Sequence, residues 1–79
     1  MKVTYIGSRN EYSRHGRRYA DVVCWEHEED RLHRMMDAMN KRGWKMYSGI
    51  ECWAYCEVYD RDEYNEFMSD WKELKKQIK

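Results

Sequence analysis

The chain has no proline and only four glycines. It has no Gly/Ser-rich run either, so no stretch reads as an interdomain linker. No segment approaches the ~18 consecutive apolar residues of a membrane span, and the opening MKVTYIGSRN lacks the apolar run of a secretory signal. These absences lead to the expectation of a cytoplasmic protein with no membrane partner. Net charge is missing too. Fifteen Lys and Arg balance fifteen Asp and Glu, so no global field draws the chain toward phosphate. Cysteine is odd in number, at positions 24, 52 and 56, which argues against a complete disulfide framework. In a reducing compartment the three read as small, packed thiols.

What is present suffices for one modest core. The 79 residues are 42% hydrophobic and 15% aromatic, too apolar for a disordered chain despite 38% charged residues. Two segments carry helical periodicity. In EEDRLHRMMDAMNKRG, Leu32, Met35, Met36 and Met39 form one stripe, opened by acids and closed by Lys41, Arg42 and a C-capping Gly43. In DRDEYNEFMSDWKELKKQIK, Tyr64, Phe67, Met68, Trp71, Leu74 and Ile78 repeat that spacing, with Asp60 and Glu63 placed as a capping box.

Each helix is preceded by two β-rich segments. KVTYIG and RYADVVCWE come before the first, WKMY and IECWAYCEVY before the second. Ser48-Gly49 reads as a two-residue hairpin turn between the last pair. The resulting order, ββαββα, describes a single α+β domain over residues 1–79, made of two ββα half-units, 1–43 and 44–79. A shift of 32 residues lays the second helix stripe on the first, and lays Cys52, Ala54 and Cys56 on Ala20, Val22 and Cys24. The architecture expected is a two-layer sandwich. It has a four-stranded antiparallel sheet of order 1-2-4-3 and both helices on one face, a circular permutation of the ferredoxin-like plait.

Alternation assigns the two faces of that sheet. Ala20, Val22, Cys24, Cys52, Ala54, Cys56 and Val58 are small and face the helices. Tyr19, Val23, Trp25, Trp53, Tyr55 and Tyr59 face the other way, where no third helix remains to cover them. The two-residue turn would add Trp44 opposite Trp53, and put Met46 opposite Glu51. Such a face exceeds the few hundred Å² of apolar patch that a soluble monomer usually shows. Its covers are a second copy in a homodimer, a different protein, stacked bases of single-stranded nucleic acid or a nucleotide, or the chain's own long side chains and arginine-rich loop, folded over the rings through cation–π contacts. Asp21, Glu51 and Glu57 on the same face weigh against stacked bases.

The second surface is a loop. SRNEYSRHGRRY gathers Arg9, Arg14, His15, Arg17 and Arg18 around one acid, Glu11, and makes the first hairpin connection much longer than the second. Beyond Arg18, acids outnumber bases. An enlarged, arginine-rich loop suits an acidic protein surface or a phosphate-bearing ligand. The competing structural reading is a solvated tip whose arginines pair with acids such as Glu28 to Asp30.

Catalysis finds no support. Tyr5-Ile6-Gly7 is similar to the YIG half of the GIY-YIG nuclease signature, but no GIY strand precedes it and the chain is too short for that core. Cys52 and Cys56 on one strand would stand ~13 Å apart, too far to share a zinc with bonds of ~2.3 Å. No metal, cofactor or catalytic residue is assigned; His27 and His33 lie in or near the first helix beside several charges, and His33, off the apolar stripe, reads as solvated. The expected function is a small non-enzymatic protein-binding module. In its shortness, its lack of proline and its wealth of Met, Tyr, Trp and charge it resembles small accessory proteins of phages and mobile elements. That resemblance implies an inhibitor of host defence machinery.

Overall fold

The structure is a computed structural model that describes residues 1–7 and 18–78. Its elements run β1 (Lys2–Ile6), β2 (Arg18–Val23), a 3-10 turn (Glu26–Glu28), α1 (Glu29–Lys41), β3 (Met46–Ser48), β4 (Trp53–Val58) and α2 (Arg61–Gln77). The four strands form one sheet of order β1-β2-β4-β3, antiparallel at every pairing. The small α+β fold, the strand order and the two helices agree with expectation.

The core follows from side-chain size. Ala20 and Val22 on β2, with Ala54, Cys56 and Val58 on β4, are buried on one face of the sheet. Leu32, Met35, Met36 and Met39 of α1 and Phe67, Trp71 and Leu74 of α2 join them in a single cluster. Small strand residues let bulky helix residues approach the backbone, and neither side fills the space alone. Within α2, Phe67 and Trp71 stack with ring centroids 5.7 Å apart.

Local chemistry sets the helix ends. The backbone N–H of Glu63 donates to the Asp60 carboxylate at 2.9 Å, the expected N-cap. Glu63 reaches back to the N–H of Tyr59 rather than that of Asp60. Helix α1 ends at Gly43, whose φ of 100° is the left-handed conformation a glycine takes without penalty. Gly43 N–H donates to the carbonyl of Asn40 and Trp44 N–H to that of Met39, a Schellman arrangement. Arg31 crosses from α1 to donate to the carbonyls of Lys75 and Ile78, tying down the end of α2.

Three expectations are corrected. The turn joining β3 to β4 spans 49–52, four residues rather than two, and pairs Met46 with Cys56 and Tyr47 with Tyr55. The two-residue turn had placed Met46 opposite Glu51. The difference is an odd number of positions, and an odd slip turns each side chain to the other face. Met46 is therefore buried in the core. Trp44 sits beside α2, edge-on to Phe67 at 5.4 Å, its indole N–H donating to Asp70 at 2.8 Å. It is not opposite Trp53.

Second, Cys52 lies in the turn with φ 63° and not on a strand. It and Cys24 are only partly buried, and Cys56 alone of the three is fully in the core. Third, one 32-residue shift does not superpose both half-units. The helices start 32 residues apart, whereas β2 and β4 start 35 apart, because the 3-10 turn lengthens the link before α1.

Candidate functional site

The face of the sheet away from the helices is built by register. Its rows are Lys2, Val23 and Trp53; then Thr4, Asp21, Tyr55 and Tyr47; then Ile6, Tyr19 and Glu57. Tyr55 is the hub. Tyr47 stacks on it at 5.5 Å and 25°, Trp53 leans on it at 5.5 Å and 36°, and Tyr19 meets it edge-on at 5.8 Å and 90°. Rings in tilted and edge-on contact gain roughly 0.5–1.5 kcal/mol per pair beyond their burial, so the cluster presents one continuous aromatic surface. Trp53 remains 38% exposed and Tyr47 49%.

Trp53 is positioned twice. Its ring lies over Gly49, where a Cβ would run into the indole, and Gly49 N–H donates to the Trp53 carbonyl at 2.8 Å. Its indole N–H donates to the carboxylate of Asp21 across the β2–β4 ladder. Burial among these rings pushes the Asp21 pKa above its usual value, and the hydrogen bond from Trp53 pulls against that shift. Asp21 therefore serves as an anchor for the indole.

The other residues expected on this face are placed differently. Trp25 lies beyond the end of β2 at the entry to the 3-10 turn, 73% exposed. Glu28 closes that turn by accepting from Trp25 N–H and from the Met1 ammonium. The backbone bond from Trp25, and then the ammonium, hold the Glu28 carboxyl below its ordinary pKa. Tyr59 follows β4 and is 79% exposed. Trp44 is replaced on the face by Tyr47, which sequence reasoning missed. A signal for it existed. Trp44 and Met46 alternate with Lys45 and Tyr47, the pattern of a strand whose apolar side faces the core.

Of the arginine-rich loop, Arg9, Arg14, His15 and Arg17 lie outside the described residues. Arg18 opens β2 and donates to the carbonyl of Tyr59 at 3.1 Å. Another arginine, Arg42, engages Asp70 at 3.1 Å and Glu73 at 3.2 Å. These contacts tie the end of α1 to α2, away from the aromatic face.

Among the described residues no three His, Cys, Asp or Glu side chains converge as a metal site would require. His27 and His33 are exposed, and His33 has Glu29 as a neighbour at 3.8 Å. Burial pushes the Cys56 thiol up to about 11, which keeps it protonated and inert at neutral pH. No described helix is long and apolar enough to cross a membrane. No protein family, curated protein or solved structure matches the chain.

Proposed function

We propose that this is a non-enzymatic protein-binding module that uses the open face of its sheet. The observation that carries the reading is the four-ring cluster centred on Tyr55, lying on the face opposite the helices. Rings of Tyr and Trp anchored on strands make large, rigid contacts at little entropic cost, the chemistry of protein hot spots. The antiparallel order 1-2-4-3 with helices on one side is that of a permuted ferredoxin-like plait, and that plait leaves one sheet face open. A second copy of the chain and a different target protein are both served by such a face. The inhibitor role implied by the resemblance to phage accessory proteins is one form of the second case.

The test is Trp53→Ala and Tyr47→Ala in the otherwise intact chain. Loss of Trp53 is expected to weaken association by ~2 kcal/mol, roughly thirtyfold. Analytical ultracentrifugation reads this for self-association, and titration calorimetry for a purified partner. Unchanged association in both variants refutes the reading.

Nucleic acid is the competing ligand because of Arg9, Arg14, Arg17 and Arg18. Asp21 and Glu57 on the aromatic face oppose it, since a carboxylate repels the phosphates beside any stacked base. If Arg14, Arg17 and Arg18 contact phosphates, affinity for a single strand falls by ~0.7 log units per contact for each tenfold rise in salt. Their replacement by alanine then flattens that slope. Micromolar binding of a mixed-sequence oligonucleotide at physiological salt, abolished by that triple variant, reverses the assignment.

A further inference from the structure

Cys24 and Cys52 meet where the β2–β4 ladder runs out. The register ends with Val23 opposite Trp53, so the next position sets Cys24 directly across from Cys52. The N–H of Cys24 donates to the carbonyl of Cys52 at 2.9 Å, which carries the ladder one step past the strands. Opposed residues of an antiparallel pair have Cα atoms about 4.5–5.5 Å apart. That separation falls inside the range of roughly 4.4–6.8 Å that a disulfide spans. The two thiols lie near enough for Cys52 to influence the ionisation of Cys24. Both are partly buried rather than sealed in the core, unlike Cys56.

We propose that Cys24 and Cys52 are a reversible dithiol–disulfide site whose substrate is a low-molecular-weight disulfide of the glutathione type. Both are free cysteines. Cys52, in the turn, attacks one sulfur of the small disulfide as the thiolate. A mixed disulfide forms on Cys52 and the first small thiol leaves, taking up the proton that Cys52 gave. Cys24 then loses its proton, attacks the Cys52 sulfur and expels the second small thiol. Two protein thiols are oxidised and one small disulfide is reduced to two thiols. Burial first, and then the hydrogen bond to Cys52, push the Cys24 thiol up to about 11, so its attack and the exchange as a whole are slow at neutral pH.

The bond would tie the turn 49–52 to the end of β2. That turn holds Gly49, the seat of the Trp53 ring, and the end of β2 leads into the exposed Trp25. Oxidation would therefore fasten one end of the aromatic face. This inference does not depend on what that face binds.

The experiment equilibrates the full chain with oxidised and reduced glutathione at several ratios, blocks free thiols, and maps peptides without reduction. The expected product is a monomer lighter by two hydrogens, with Cys24 linked to Cys52 and Cys56 alkylated only after unfolding. Its Tm should rise by about 10 °C over the reduced form. Cys56→Ser should still oxidise, whereas Cys24→Ser and Cys52→Ser should stop at one glutathione or none. The proposal is overturned if, at the oxidising limit, both thiols remain alkylatable or glutathione stays attached to wild-type Cys52. Bonds to Cys56 or between chains overturn it equally. Because the wild-type peptide map decides the matter, a poorly folding variant leaves the conclusion intact.

Discussion

Asp21 and Glu28 show how the same functional group responds to opposite surroundings. Burial among rings raises the Asp21 pKa above 3.8. The folded state thus holds that proton more tightly than the unfolded chain does, and Asp21 favours folding most below the unfolded value. The contribution declines as pH rises through the folded value. Asp21→Asn keeps an acceptor for the Trp53 indole and removes the charge. Its stability relative to wild type should be higher at pH 7 than at pH 3.5 in urea titrations. Glu28 runs the other way. The Trp25 N–H and the Met1 ammonium depress its pKa below 4.5, so its contribution is present at neutral pH. It is lost as pH falls through the depressed folded value. Glu28→Gln should be less stable than wild type at pH 7, and the difference should vanish at strongly acid pH. At Gly49, addition of a methyl group displaces the Trp53 ring. Gly49→Ala should cost ~1–3 kcal/mol, as overpacking does, and alter tryptophan fluorescence.

Among the elements, the helices were readable because their signals are local. Stripes at i, i+3, i+4 and i+7 specified every buried position of α1, and caps at Asp60 and Gly43 were visible as residue types at fixed offsets. Asp60→Ala should cost about 1 kcal/mol by removing the acceptor for the Glu63 N–H, measurable as a lowered urea midpoint at unchanged m-value. Strand register was not readable in the same way. Gly49 and a left-handed Cys52 make a four-residue turn, where Ser48-Gly49 suggested a two-residue one. The turn residues themselves do not distinguish the two readings, and the alternation of Trp44 and Met46 with Lys45 and Tyr47 gives the faces of β3 but not its register. The partner strand sets the register, by offering Cys56 to Met46 and Tyr55 to Tyr47. Amide exchange should protect residues of β2 and β4 most, because each is paired on both sides. Stronger protection of β1 than of β4 would contradict this strand order.

For the molecule as a whole, one face of the sheet carries the core and the other carries the ring cluster. Phe67 lies fully buried between Trp44 and Trp71. Phe67→Ala should cost ~3–5 kcal/mol, a large part of the stability of a domain this small. Trp53→Ala on the opposite face removes a half-exposed ring and should cost clearly less in the same denaturation experiment. Comparable losses would mean that the aromatic face is part of the core.

The sequence by itself determined which residues form the helices, which strand positions are small enough to lie beneath them, and that aromatic residues remain for the far side. Periodicity and side-chain volume act over a few residues, so they can be read along the chain. Tertiary structure alone decided that Tyr47 stacks on Tyr55, that Asp21 holds the Trp53 indole, and that Cys24 stands across from Cys52. Each depends on register between strands distant in sequence. A strand's own residues define its two faces, but the sum of contacts across the sheet chooses which face turns inward and which partner stands opposite.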